Sequence, residues 1–219
     1  MSISYNSSIV TSNLIACFDP GNPRTYPGSG TAIRDASGNG FTGTLVNGPT
    51  YSSVNGGVFV LDGVNDYIDI PSPNLTSTNY TIFGAARYTT VSGRTFSGRN
   101  NNWLMGHWSA STQNYFAEGW VAGAGTGGPN PGDTNWRFYA ATGNISADNY
   151  ALYVNGELVS TQAPTGGSQG PNGFGIGLYF PGNSEYSACQ IGVFLIYNTV
   201  LTEAQIIQNF NAYRGRYGL

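Results

Sequence analysis

Tyr150-Ala151-Leu152-Tyr153-Val154-Asn155-Gly156-Glu157-Leu158-Val159-Ser160 is the stretch that decides the fold class. Two runs of aromatic, aliphatic and β-branched residues flank an Asn-Gly pair. That pair accepts the positive φ angles that a two-residue type I′ turn demands at both positions. The spacing predicts a β-hairpin with Tyr153 opposite Leu158 and Leu152 opposite Val159.

Working outward, runs of the same kind recur along the chain, separated by Gly, Pro, Asn and Ser clusters, which is the pattern of an all-β protein. The predicted strands are Leu14–Phe18, Thr44–Asn47, Val58–Leu61, Tyr67–Ile70, Tyr80–Tyr88, Trp103–His107, Asn114–Glu118, Trp136–Thr142, Ala151–Val154, Glu157–Thr161, Phe174–Leu178 and Ala188–Tyr197. Gly123–Gly132 reads as a long loop. Helical periodicity enters only near the end. Thr202-Glu203-Ala204-Gln205 reads as a capping box, Ile206, Phe210 and Tyr213 form one apolar stripe, and Gly215 is the expected stop. One short helix after many strands predicts a lid on the edge of a two-sheet antiparallel sandwich. The 219 residues suit a single domain spanning 1–219.

Charge is the unusual quantity. Charged residues make up 9% of the chain, against about 25% in an average protein. The eight basic residues are all arginine, and fifteen tyrosines lead the aromatics. Such a surface is built from neutral hydrogen-bonding groups, which suits an assembly partner or neutral sugars. It argues against nucleic acid, whose phosphates are gripped by clustered Lys and Arg. No apolar run is long enough to span a membrane, and Met1–Asn6 carries neither the basic start nor the apolar stretch of a secretory signal. Cys17 and Cys189 lie in apolar strand-like runs and are read as two buried free thiols rather than a disulfide.

Several segments resemble the laminin-G-like members of the concanavalin A-like lectin/glucanase superfamily. They are Asp35-Ala36-Ser37-Gly38-Asn39-Gly40-Phe41-Thr42-Gly43-Thr44-Leu45, Val58-Phe59-Val60-Leu61-Asp62-Gly63-Val64-Asn65-Asp66-Tyr67-Ile68, Leu152–Gly156, and the closing Ile191–Thr202. The resemblance implies a jelly-roll sandwich. A narrower resemblance, in Asn13–Gly30 and Gln208–Leu219, is to stand-alone versions in tailed bacteriophages. It implies a non-enzymatic structural protein of the virion, a head decoration or a tail or fibre part, assembled in the host cytoplasm. Its partners would be other virion proteins and host surface glycans, with any homo-oligomer forming through side surfaces. A carbohydrate-binding adhesin module is the alternative.

The sequence offers little for catalysis or metal binding. Retaining glycosidases need two carboxyl groups about 5–5.5 Å apart, and Glu118, Glu157, Glu185 and Glu203 are scattered. No catalytic residue and no cofactor is therefore expected. Asp62, Asp66 and Asp69 are the densest acidic group. Oxygen ligands would suit calcium, but Asp62-Gly63 and Asn65-Asp66 read better as a turn bonded to its own backbone. Gly123–Gly128 fits G-x-G-x-x-G in letters only, since Pro129 and Pro131 follow where a helix would have to begin. The candidate contact surface is the stretch that gathers three of the four tryptophans with neutral polar groups: Trp103, His107, Trp108, Gln113, Asn114, Tyr115 and Trp120. Flat rings flanked by amides suit the C–H face of a sugar ring, and exposed Trp and Tyr also suit a protein interface. Core packing is the competing reading for Trp103 and Trp120, and Trp108 is the better exposed candidate.

Overall fold

The computed structural model describes residues 8–90, 93–109, 111–117, 119–123, 133–163 and 169–219. In chain order it forms β1 (Leu14–Phe18), β2 (Ala32–Arg34), β3 (Thr42–Val46), β4 (Thr50–Ser52), β5 (Val58–Asp62), β6 (Tyr67–Asn74), β7 (Tyr80–Tyr88), β8 (Phe96–Gly98), β9 (Trp103–Trp108), β10 (Ser111–Ala117), β11 (Trp120–Ala122), β12 (Arg137–Asn144), β13 (Asn149–Val154), β14 (Glu157–Gln162), β15 (Asn172–Ile176), β16 (Ala188–Tyr197) and α1 (Glu203–Tyr217). The first sheet has the order β14-β13-β12-β7-β16-β5-β4, with β1 also paired to β16, and the second has the order β11-β10-β9-β8-β15-β6-β3-β2. Every pairing between these strands is antiparallel. The fold is thus the two-sheet sandwich with a C-terminal helix that the sequence predicts. The strands it did not predict, β2, β4, β8 and β11, are three residues each, too short to show alternation. Most of the expected Gly123–Gly132 loop lies outside the described residues.

Side chains alternate across a strand, so β7 shows how the layers are built. Tyr80, Ile82, Ala86 and Tyr88 point between the sheets, where they meet Phe59, Phe96, Trp103, Tyr115, Phe174 and Phe194. Phe83 and Ala85 point the other way, into a second cluster with Phe138, Leu195, Ile206 and Tyr217. Both faces of β7 are buried because α1 covers the outer side of the first sheet. The helix is therefore a cover over the middle strands of that face, not the edge lid expected.

α1 begins as its sequence dictates. Thr202 Oγ1 accepts from the Gln205 N–H, and the Gln205 side chain returns to the Thr202 N–H, completing the capping box. Its end corrects the expectation. Gly215 lies inside the helix, which continues to Tyr217 and stops at the left-handed Gly218. A mid-helix glycine costs only about 1 kcal/mol relative to alanine, and the contacts beyond it outweigh that cost. Tyr217 Oη accepts from the Val193 N–H at 2.8 Å, and Arg216 pairs with Asp19 at 2.7 Å. Tyr217 reaches β16 at a break in register between Ile191 and Phe194, directly over Gly192, where a Cβ would stand 2.2 Å from Tyr217 Oη. The N-terminal segment is tied to the same helix and to the end of β16: Gln208 Nε2 donates to Ser8 O, the Val10 N–H to Asn209 Oδ1, and Tyr197 Oη to Val10 O.

The β13–β14 hairpin turns on Asn155 and Gly156, both at positive φ, and pairs Tyr153 with Leu158. A bulge follows, so Leu152 faces Ser160 rather than Val159. Ser160 Oγ donates to Val121 O in the other sheet, which draws the edge of the sandwich closed.

Cys17 and Cys189 are buried free thiols, as read from the sequence. Burial pushes both up to about 12, with Asp19 and Asp35 adding to the effect at Cys17. Since the thiolate is the reactive form, native protein at mildly alkaline pH should react with Ellman's reagent at least about 100-fold more slowly than a free thiol. Both thiols should titrate once guanidinium unfolds the chain. Fast labelling of folded protein would contradict the burial described.

Candidate functional site

Strand alternation divides the predicted site in two. On β9, Trp103, Met105 and His107 point between the sheets, and Leu104 and Trp108 point outward. Trp103, Tyr115, His107 and Asn114 are fully buried, so these four cannot touch a ligand, and the expectation is corrected for each.

The interior position gives the four a structural role. The Trp103 indole N–H donates to Tyr80 Oη at 3.1 Å, Tyr80 and Tyr115 share a 2.6 Å hydroxyl contact, and Tyr115 Oη donates to Thr142 O. This chain satisfies three polar groups that the aromatic core would otherwise strand. Tyr139 Oη donates to Thr112 O at 2.7 Å and lies 3.1 Å from His107 Nδ1, which therefore carries the ring proton. His107 Nε2 is buried with no hydrogen-bond partner among the described residues. Asn114 Nδ2 is committed to the carbonyls of Gly106, Trp108 and Ser111, closing the β9–β10 connection.

Trp108, Gln113 and Trp120 remain half-buried. The sandwich brings the two tryptophans together, with ring centroids 5.3 Å apart and planes tilted by 27°, and Phe116 meets Trp120 edge-on at 5.3 Å. The result is a stacked, half-exposed aromatic cluster, hereafter the platform, on the outer face of the second sheet.

A polar cluster that sequence reasoning missed borders the platform. Glu185 Oε2 accepts from Arg94 Nε at 2.5 Å and from the Trp108 indole N–H at 2.9 Å. Arg94 Nη1 donates to Asn102 Oδ1 at 2.7 Å, and its guanidinium lies 4.2 Å from the Tyr179 ring centre and 5.6 Å from that of Trp108. Glu185 adopts a positive φ of 54°, which a residue with a side chain rarely takes. The segment carrying it presses onto Gly93, where a Cβ would lie 1.8 Å from Glu185 O. These partners are 91 residues apart, and no local signal in the sequence joins them.

The acidic trio is spent on structure. Asp62 Oδ1 accepts from the N–H groups of Val64, Asn65 and Asp66, and Asp66 Oδ2 accepts from the Asp62 N–H. Those backbone donors, Val64 first, hold the Asp62 carboxyl below its ordinary value, whereas burial raises Asp66. Asp69 pairs with Arg99. Among the described residues no three His, Cys, Asp or Glu side chains gather as metal ligands. Glu118 lies outside the described residues.

A family model described as the concanavalin A-like lectin/glucanases superfamily matches residues 62–207. The chain belongs to that superfamily. No curated protein matches its sequence. Among solved structures, this superfamily member is similar to the binding domain of Paraclostridial Mosquitocidal Protein 1, at TM-score 0.67 and 14% identity, over 93% of this chain and 53% of that one. It is similar to domain 4 of the extracellular arabinanase AbnA from Geobacillus stearothermophilus, in complex with arabinotriose, at TM-score 0.65 and 18% identity, over 90% and 98%. It is also similar to the binding domain of botulinum neurotoxin DC in complex with SialylT, at TM-score 0.65 and 13% identity, over 93% and 52%. The chain thus spans about half the length of the two toxin binding domains. At these identities the likeness is one of fold.

Proposed function

We propose that this chain is a non-catalytic glycan-binding domain whose contact surface is the aromatic outer face of the second sheet. One observation carries the reading: Trp108 and Trp120 stack as a half-exposed pair, with Trp108 held by Glu185 and bordered by Arg94, whose own partners are Asn102 and Tyr179. Flat rings take the C–H face of a sugar, and neighbouring amides and charges take its hydroxyls. The arabinotriose complex of one structural neighbour supports the same ligand class. The described glutamates support a binding rather than a hydrolytic role, since Glu157 sits on the β13–β14 hairpin, Glu185 is held by Arg94 and Glu203 opens α1.

A glycan array followed by titration of the best ligand tests this. Trp108→Ala and Trp120→Ala should each weaken binding by roughly tenfold or more, the usual scale for an aromatic anchor, while changing stability by no more than about 1 kcal/mol. No binding across neutral glycans, or unchanged affinity in both variants, would overturn the reading. No release of reducing sugar is expected.

The finer reading places this domain on a bacteriophage particle, as a head decoration or a tail or fibre part that touches host glycans. The low charge and the two terminal motifs support it, since a neutral surface packs against copies and neighbours without strong repulsion. Mass spectrometry of purified particles tests it directly, and absence of the chain from the particle would refute it.

A further inference from the structure

We propose a second binding site, for a carboxylate-bearing sugar, in the pocket between the C-terminal end of α1 and the start of β12. Its volume is about 440 Å³, and Arg87, Asn135, Trp136, Arg137, Asn155 and Tyr217 contribute to its walls. Small-ligand sites commonly occupy about 300–1,000 Å³. The pocket lies on the outer side of the first sheet, whereas the tryptophan platform lies on the outer side of the second.

Arg87 carries the argument. Four of the eight arginines, Arg94, Arg99, Arg137 and Arg216, are held in ion pairs. Arg24, Arg34 and Arg214 are exposed to water. Arg87 alone is partly buried with no carboxylate partner among the described residues. It is nonetheless fixed in place. Its Nε donates to Gln190 Oε1 across the strand pair at 2.9 Å, and its guanidinium lies 5.7 Å from the Trp136 ring centre. With Nε occupied, the two terminal nitrogens remain to grip a ligand. Two parallel N–H groups match the two oxygens of a carboxylate, a geometry that lysine cannot reproduce.

The second cation of the wall does not compete. Arg137 is bound on both terminal nitrogens by Asp133, at 2.7 and 2.8 Å, so that pair adds no net charge. Arg87 therefore supplies the charge that selects an anion. The rest of the lining selects the ligand's neutral part. Asn155 uses its Oδ1 to accept from the Phe138 N–H at 2.9 Å, leaving its amide N–H groups to meet hydroxyls, and Asn135 and Thr134 stand at the exposed rim. A charged fork beside amide and hydroxyl donors suits a uronic acid or another acidic monosaccharide better than an apolar acid.

Titration of the purified chain with D-glucuronate, D-glucose and N-acetylneuraminate, followed through the indole N–H signals by NMR, tests the site. Glucuronate or N-acetylneuraminate should shift the Trp136 signal at millimolar concentration. Glucose, which lacks the carboxylate, should bind roughly 10- to 100-fold more weakly, and Arg87→Gln should bring the acidic sugars down to the same level. Trp108→Ala should leave the Trp136 response unchanged, which separates this site from the platform. The proposal is overturned if neither acid shifts Trp136, if Arg87→Gln binds as well as the parent while keeping its fold, or if Trp108→Ala removes the response.

Discussion

Replacing Trp103 with alanine is expected to lower stability by about 3–5 kcal/mol, the range seen when a large buried aromatic is truncated. In a chain of this length that corresponds to a melting temperature lower by roughly 10 °C. Trp103 is fully buried, and its ring meets Tyr80, Tyr115 and Phe174 with centroids 5.9–6.4 Å away. Removing it opens a cavity between the sheets and takes the indole N–H away from the Tyr80–Tyr115 hydroxyl pair. Trp103→Phe keeps most of the volume and should recover more than half of the loss. Thermal and urea unfolding would measure both. A cost below about 1 kcal/mol for the alanine variant would mean that the ring is not part of the core. The contrast with Trp108→Ala is the point, since one residue supports the sandwich and the other is read as serving its surface.

The second large effect is expected in mild acid. Burial pushes the His107 imidazole down to about 3 from an ordinary 6.5, and the nearby Arg137 cation adds to the shift. The unfolded chain therefore takes up a proton that the folded chain refuses. Stability is complete above about pH 6.5 and falls by about 1.4 kcal/mol for each pH unit below it, levelling off near the folded value. By pH 4.5 the loss should reach about 2–3 kcal/mol. Ordinary carboxylates, which titrate near 3.9–4.3, remain largely ionised between pH 6.5 and 5, and Asp66, raised by burial, would stabilise the fold as pH falls, so the loss of stability in that window belongs to the histidine. Urea unfolding at a series of pH values should show the slope in the parent and a nearly flat line in His107→Gln. Equal slopes in both proteins would remove His107 as the cause.

Much of the architecture is legible in the sequence because it rests on local chemistry. β7 and β16 are long apolar runs whose ends match their predicted bounds, and Thr202 and Gln205 announce the start of α1 by a motif four residues long. The helix end was misread because Gly215 looks like a stop, whereas the anchors that carry the helix past it, Asp19 and Val193, are distant in sequence. The site was half legible. Trp103 and Trp108 are five positions apart, so alternation alone puts them on opposite faces. Which face is interior depends on which side of the second sheet the first sheet packs against, and that is a tertiary fact. His107 and Asn114 look like surface residues by type, and only the Tyr139 hydroxyl and three clustered carbonyls explain why they lie inside. Arg94 and Glu185 meet through a loop that folds back onto Gly93, and no pattern of neighbours foretells it.

The stitching of Ser8 and Val10 to α1 has a practical corollary. Residue 8 and Leu219 both lie on the helix-covered side of the sandwich. A support attached through residue 8 or Leu219 would therefore hold the domain from behind. The tryptophan platform would then look away from the support, free for ligands in solution, without any need for a long spacer.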